Sequence, residues 1–189
     1  MNYFLTEEQQ MIKELAAKIA DEKIAPVALK YDEKGIFPRD IVNVLAASDL
    51  CGVYIPEEYG GLGGGVFEMS LVVEELSRAC GGIALSFAGT GLGAFPILLH
   101  GNEEQKQKYL PDIASGKKLA AFGLTEANAG SDAAGVQTTA TVDGDEYILN
   151  GTKQWITNGG EADIYTVIAC TNRSKGARGF SAFIVEKGT

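Results

Sequence analysis

The sequence predicts an α+β fold, in which an all-helical N-terminal domain is followed by a domain built mainly of β-strands. Apolar residues recur at helical spacing over residues 1–118, whereas residues 119–189 contain short runs rich in β-branched and aromatic residues. A run of helices followed by a run of strands is typical of α+β proteins and argues against a doubly wound sheet. No GxGxxG motif follows a predicted strand, which argues against a Rossmann-type nucleotide fold.

The first helix begins at a capping box, because the Thr6 hydroxyl can accept from the Gln9 amide while the Gln9 side chain reaches back. Pro26 is expected to bend or end this helix, or to open its continuation, since proline has no backbone N–H. Four apolar residues follow the capping box at helical spacing and are expected to face the core: Met11, Ile12, Leu15 and Ile19.

The second helix is predicted over about residues 38–50, with Gly52 as its stop signal. Its apolar residues are spaced so that one face of the helix is buried. Ile41, Val44 and Leu45 are expected on that inward face.

Three further helices are marked by their start and stop signals. The third covers residues 66–79, and the fourth follows the Gly-Gly pair at 81–82 and contains an unusual number of small residues. The fifth begins at a second capping box, formed by Asn102 and Gln105, and is expected to end before Pro111.

Beyond residue 118 the pattern changes to strands. One strand is expected to end at Thr125, and Asp143-Gly144 and Asn150-Gly151 favour hairpin turns. Five further segments are predicted strands, at residues 136–142, 146–149, 152–156, 165–171 and 179–185.

Composition and charge argue against several classes of function. The formal net charge is −9 and the pI is about 4.7, so no basic groove for nucleic acid is expected. One histidine and three scattered cysteines argue against a zinc site or a disulfide framework. No apolar run approaches the length of a membrane span, and the first residues do not resemble a signal peptide. A cytoplasmic protein without a membrane span is therefore expected.

Residues 122–135 form the first candidate binding segment, in which a loop of small and polar residues follows Thr125. Gly130 lets the backbone approach a ligand, and Ser131 offers an amide and a hydroxyl together. This arrangement suits the pyrimidine edge and the pyrophosphate of a large cofactor, because it uses neutral donors. The alternative is an ordinary β-turn closed by Asx-type hydrogen bonds of Asn128 and Ser131.

Residues 150–160 form the second candidate segment, which contains the single tryptophan, Trp155. On a strand, Trp155 and Thr157 point to the same face. An indole and a hydroxyl side by side could pack on an isoalloxazine ring and hydrogen-bond to its edge. The alternative is that Trp155 fills the core of the β-domain, which is the commoner fate of a lone tryptophan.

Together these segments resemble the acyl-CoA dehydrogenase family. The sequence GLTEANAGSD at residues 123–132, with Gly135, is similar to the first signature of that family, and GTKQWITNG at residues 151–159 is similar to its second β-domain motif. PEEYGGLG at residues 56–63 resembles the family's loop in the helical domain, and GNEEQKQKYL at residues 101–110 resembles its fifth helix. The four segments occur in the right order and spacing, so the resemblance covers essentially the whole chain.

The resemblance implies a helical N-terminal domain, a middle β-barrel-like domain that is incomplete in this chain, and FAD as the cofactor. Thr157 is implied to hydrogen-bond near flavin N5, and Ile156 to contact the ring through its backbone. Eight residues are implied as cofactor contacts: Phe122, Leu124 and Thr125 at the flavin, Gly130 and Ser131 at the pyrophosphate, and Trp155, Ile156 and Thr157 at the isoalloxazine ring.

An acyl-CoA substrate is implied as well, with Ser131 also near the CoA arm. The fourth helix is implied to line the acyl-chain cavity, where small side chains create volume. The candidates are Leu85, Ala88, Gly89 and Leu92. The alternative is that the small residues of this helix serve close helix packing.

The family oxidises the α,β C–C bond of an acyl-CoA thioester, here expected to be short- or medium-chain, and passes the electrons to an electron-transfer flavoprotein. Its catalytic glutamate belongs to a C-terminal helical domain that this chain lacks. Glu126 is not a substitute, because it lies in the cofactor loop. No catalytic residue is therefore named, and the 189-residue chain alone is expected to be inactive.

Family members are commonly dimeric or tetrameric, which implies a homo-oligomer for the full-length form. Two alternatives remain open. One is an acyl-CoA oxidase or a flavin monooxygenase of the same fold. The other is a non-catalytic fragment that binds flavin or a partner protein.

Overall fold

The computed structural model describes residues 4–189, in which a bundle of helices is followed by one five-stranded sheet. The α-helices are α1 (Glu7–Ile19), α2 (Ala28–Lys34), α3 (Arg39–Ala47), α4 (Val66–Ala79), α5 (Gly81–His100) and α6 (Glu103–Ala114). The strands are β1 (Ala120–Gly123), β2 (Thr139–Asp143), β3 (Glu146–Asn150), β4 (Ile164–Cys170) and β5 (Phe180–Glu186). The predicted α+β class is confirmed, and the predicted boundary after residue 118 falls in the connection between α6 and β1.

Helix α1 begins at the predicted capping box, where the Gln9 amide donates to the Thr6 hydroxyl at 3.2 Å. Its inward face was predicted only in part. Ile19 is buried, but Met11 is 69% exposed and Leu15 39% exposed, because α1 packs on α4 through its other side. A π-helical turn at Ala20–Ile24 continues the helix and ends before Pro26, which confirms the predicted interruption.

Helix α3 is shorter than predicted. It ends at Ala47, and the left-handed backbone of Asp49 turns the chain into a 3₁₀ turn at Leu50–Gly52. Ile41 and Leu45 are buried as predicted.

Helix α6 is longer than predicted. It starts at the predicted cap, Asn102, but continues through Pro111 to Ala114, so the expected stop was wrong. Ile113 and Ala114 are buried in the core. We attribute the continuation of the helix to this burial, which outweighs the missing N–H of the proline.

Helix α5 corrects the expectation that no apolar run approaches the length of a membrane span. It has 20 residues and a mean hydropathy of 1.7, which by length and composition alone would be enough to cross a membrane. However, 56% of its apolar stretch is buried within the protein, where it packs on β1 and on α4. The central helix of a folded core meets the same criterion.

The sheet is organised around β4, which pairs in parallel with β1 and antiparallel with β5. β2 also joins β4, through Thr139 and Cys170, and forms with β3 the hairpin predicted at Asp143-Gly144. Gly144 has a φ of +64°, which suits a hairpin turn. Among the strands of residues 4–189, β3 pairs only with β2 and β5 only with β4, so this sheet is open rather than a closed barrel.

The strand predicted at residues 152–156 is not formed. Trp155 has a φ of +58°, in the left-handed region that no strand contains, and the segment is irregular. The hairpin expected at Asn150-Gly151 is absent for the same reason. Trp155 and Thr157 therefore do not share a strand face, contrary to prediction.

Helices and sheet share one hydrophobic core. Ala120 of β1 and Ile164 of β4 belong to the same buried cluster as Tyr54 and Phe87 of the helical part. Helix α5 approaches β1 so closely that a Cβ on Gly93 would lie 2.6 Å from a backbone nitrogen of the strand. This contact places α5 directly against the loops that follow β1 and precede β4.

Candidate cofactor and substrate site

The two candidate segments lie side by side. We call residues 124–138, which follow β1, the first loop, and residues 151–163, which precede β4, the second loop. The Gln154 amide donates to the Thr125 carbonyl at 2.9 Å, and the Lys153 ammonium donates to the Leu124 carbonyl at 3.0 Å. These bonds place the predicted flavin contacts Leu124 and Thr125 next to the residues that precede Trp155.

Glu126 and Lys153 form a buried ion pair between the loops. Their side chains are 8% and 12% exposed, and Lys153 Nζ lies 2.7 Å from Glu126 Oε1. Burial alone would raise the pKa of Glu126, but hydrogen bonds from Lys153, from the Thr138 hydroxyl and from two backbone amides outweigh it and lower the pKa to about 2. Glu126 is therefore a carboxylate held in place by hydrogen bonds at both oxygens.

The tip of the first loop is open to solvent. Gly130 and Ser131 are exposed, and a Cβ added to Gly130 would meet no atom within 4 Å. The turn of the alternative is present, since the Ala129 amide donates to the Glu126 carbonyl at 3.1 Å. Its Asx-type bonds are not, because within residues 4–189 the side chains of Asn128 and Ser131 make no hydrogen bond. The tip leaves an amide, a hydroxyl and bare backbone available to a ligand.

Trp155 does not fill the core, so that alternative is wrong. Trp155 is 84% exposed, and its neighbour Gln154 is hydrogen-bonded to the half-buried Thr125. Ile156 packs against a small buried cluster with Leu119 and keeps the second loop attached. An indole held in solvent on an anchored loop offers a flat apolar surface to a planar ring.

Asn158 anchors the second loop to helix α5, a role that sequence reasoning missed. Its side chain is buried, and its Nδ2 donates to the Ser86 carbonyl at 2.9 Å, the Thr90 hydroxyl at 3.1 Å and the Ala120 carbonyl at 3.3 Å. Its φ is +64°, a conformation that asparagine tolerates. In the sequence, the signal that could have indicated this role was Asn158 followed directly by two glycines.

The face of α5 predicted to meet substrate is divided. Leu85 and Leu92 are 55% and 53% exposed, whereas Gly89 is buried against the second loop. Ala88 and Leu92 line an open groove of about 570 Å³ between α4 and α5, together with Phe95. Gly89 therefore serves close packing. Leu85 and Leu92 are exposed, and their contact with substrate stays a prediction.

The donors and surfaces of the two loops fit FAD. The loop tip supplies neutral donors and close backbone approach, which suit a pyrophosphate, and Trp155 supplies the exposed aromatic face that suits an isoalloxazine. The described part of the chain holds no group of three or more side chains arranged to bind a metal ion. The neutral donors of the loop tip and the exposed indole can therefore hold and orient a dinucleotide.

Comparison with known proteins gives the same assignment. Residues 6–117 match the model of the acyl-CoA dehydrogenase N-terminal domain, and residues 121–189 match that of the acyl-CoA dehydrogenase middle domain. The chain is 46% identical to a short-chain-specific acyl-CoA dehydrogenase of Clostridium acetobutylicum, covering 100% of this chain and 50% of that protein.

Two solved structures are similar over nearly the whole chain. A chain in the structure described as the electron transferring flavoprotein of Acidaminococcus fermentans is 49% identical, with a TM-score of 0.95, over 100% of this chain and 50% of that one. An acyl-CoA dehydrogenase complexed with FAD, from Bacillus anthracis, is 42% identical, with a TM-score of 0.86, over 97% of this chain and 31% of that one.

The chain spans about half the length of the curated relatives it matches. The two domain models match the chain in the same order in which its helical part and its sheet occur. The chain belongs to the acyl-CoA dehydrogenase family, of which it carries the N-terminal and middle domains.

Proposed function

We propose that this chain is the flavin-binding half of an FAD-dependent acyl-CoA dehydrogenase that acts on a short- or medium-chain acyl-CoA thioester. The observation that carries the proposal is the bonding of the two loops through Lys153 and Gln154, with Trp155 exposed beside them. The FAD complex of the Bacillus anthracis relative supports the cofactor, and the short-chain specificity of the Clostridium acetobutylicum relative supports the substrate class.

The residues have distinct tasks in this proposal. Trp155 and Phe122 cover the flavin ring and exclude water, Thr125 and Thr157 hydrogen-bond to its edge, and Ser131 binds the pyrophosphate. When bound, FAD would supply the acceptor for the hydride that leaves the acyl β-carbon. The exposed face of α5 at Leu85 and Leu92 would border the acyl chain.

We assign no catalytic base to residues 4–189. Glu126, the carboxylate that joins the two loops, accepts hydrogen bonds at both oxygens. A residue in that state cannot remove an α-proton without losing its partners. The proposal places the base in the half of the family's length that this chain does not span.

Partners follow from the same proposal. We propose an electron-transfer flavoprotein as electron acceptor, a homo-oligomer for the full-length form, and a cytoplasmic location. The acceptor is supported by the 49% identical chain in the structure described as an electron transferring flavoprotein.

The single tryptophan makes the cofactor test direct, because Trp155 is the only indole in the chain and is proposed to stack on the flavin. Titration of the purified chain with FAD should quench Trp155 emission in a saturable way. FMN, which lacks the adenosine monophosphate half and therefore the pyrophosphate, should bind more weakly. The control is N-acetyltryptophanamide titrated with FAD under the same conditions, which measures the loss of emission due only to the light that FAD absorbs. Emission that falls only as in that control would refute FAD binding.

A further inference from the structure

The Glu126–Lys153 pair differs from the other salt bridges of the chain. In the six others among residues 4–189, at least one side chain is 34% exposed or more. In this pair both side chains are largely buried. A buried ion pair loses much of its Coulombic gain to desolvation and is weak evidence for stability, so its presence calls for another explanation.

Glu126 joins three segments of the chain at one carboxylate. Oε2 accepts from the Gln137 amide at 2.6 Å, and Oε1 accepts from the Thr138 amide at 3.0 Å and from Lys153. The Thr138 hydroxyl donates to Oε1 as well. Both oxygens are occupied, so the carboxylate fixes the start and the end of the first loop to one point of the second.

Lys153, on the second loop, also links the two loops. Its ammonium bonds to the Leu124 carbonyl as well as to Glu126, and its stem passes beside Gly123 at the end of β1. Gly151, two residues earlier, lies so close to Thr138 that a Cβ would sit 2.3 Å from its hydroxyl oxygen. The second loop can reach the first only because residue 151 has no side chain.

The pair lies between the residues proposed to touch the flavin. Glu126 follows Thr125 directly, and Lys153 precedes Trp155 by two residues. We infer that Glu126 and Lys153 are a positioning pair, which sets the spacing between Thr125 on one loop and Trp155 on the other and thereby the width of the flavin site. This inference rests on the proposed function, since the spacing matters only if a flavin occupies it.

The test compares FAD affinity with folding stability in three variants: Glu126→Gln, Lys153→Met and the two combined. Because breaking a buried pair leaves one charge without its partner, each single variant is expected to raise the FAD dissociation constant by about tenfold or more, read from Trp155 emission. The double variant removes both charges together. It is expected to fold, shown by an unchanged far-UV circular dichroism spectrum, and still to bind FAD weakly.

The matched control is the exposed pair Arg39–Glu161, which also holds the second loop but by side chains 43% and 45% exposed. Arg39→Met with Glu161→Gln should leave FAD affinity within about twofold, because exposed pairs contribute little. Acrylamide quenching of Trp155 without FAD gives a second readout: the Glu126 and Lys153 variants should change it, and the control should not.

The outcomes separate the two proposals. Wild-type chain that does not bind FAD refutes the proposed function. Wild-type chain that binds FAD, together with a folded double variant of equal affinity and unchanged Trp155 quenching, overturns the positioning role alone. Loss of affinity in all three variants, with the control unaffected, supports it.

Discussion

Gly89 of helix α5 and Thr157 of the second loop are in direct contact: a Cβ on Gly89 would lie 2.5 Å from Thr157 Cγ2. The family resemblance implied a flavin contact for the threonine, and for the glycine either a place in the acyl cavity or, as the alternative, close helix packing. The structure shows that one depends on the other, because Thr157 occupies the space that the missing side chain leaves. Helix α5 thus supports the second loop as well as presenting Leu85 and Leu92 to solvent.

Gly89→Ala is therefore expected to displace Thr157 and weaken FAD binding, although alanine is the better helix former by about 1 kcal/mol. The FAD dissociation constant measured by Trp155 emission should rise several-fold. Gly81→Ala is the matched control, since it lies in the same helix and its Cβ would meet nothing within 4 Å. Equal affinity of both variants would show that the contact does not position Thr157.

Asn158→Asp should destabilise the chain, because an aspartate cannot donate to the Ser86 carbonyl or to the Ala120 carbonyl and would bury a charge beside them. A buried group left without its partner costs about 1–3 kcal/mol, and more when charged. Urea unfolding monitored by circular dichroism gives the change in unfolding free energy. Asn128→Asp, at an exposed position without a hydrogen bond among residues 4–189, should change that free energy by no more than about 0.5 kcal/mol.

Glu126 should make the unfolding free energy of the chain depend on pH in the acid range. Its pKa is lowered to about 2 in the folded chain from an ordinary value of 4.5, so the folded state favours the carboxylate. That contribution is fully present above pH 4.5 and is lost as the pH falls towards 2. Unfolding free energy measured across this window should fall more steeply for the wild type than for Glu126→Gln. Parallel curves for the two chains would contradict the assignment.

The purified 189-residue chain should not oxidise acyl-CoA, even when loaded with FAD, because Glu126 is held by hydrogen bonds at both oxygens and we place the catalytic base in the part of the family's length that the chain does not span. Butyryl-CoA added anaerobically should leave the flavin absorbance unbleached. A full-length member of the family, treated identically, should bleach within the same period. Bleaching by a chain whose mass is confirmed would require a base that we have not identified.

The sequence predicted best where the signal was local. The capping boxes at Thr6 and Asn102 depend on residues three positions apart, and both are formed. Strands β4 and β5 lie within about a residue of their predicted bounds, because both are short runs rich in β-branched and aromatic residues.

Prediction failed where distant contacts decide the structure. Met11 has a core-like spacing but faces solvent, since α4 covers another side of α1. The segment at 152–156 contains Thr152, Trp155 and Ile156, residue types that favour strands. Hydrogen bonds from Gln154 and Lys153 nevertheless hold it as a loop against Thr125 and Glu126. The family resemblance implied that this segment contacts the flavin, which stays a prediction, and the structure revealed that the segment is a loop.

Ala120 and Ile164 lie in the same buried cluster as the helices, and the Thr166 hydroxyl donates to the Gly93 carbonyl at 2.8 Å. A polypeptide divided after residue 118 would expose the apolar surfaces of both pieces, even though two separate family models recognise them. The helical part and the sheet are thus expected to unfold in one cooperative transition. A change that destabilises α5 is also expected to displace the loops proposed to bind the flavin.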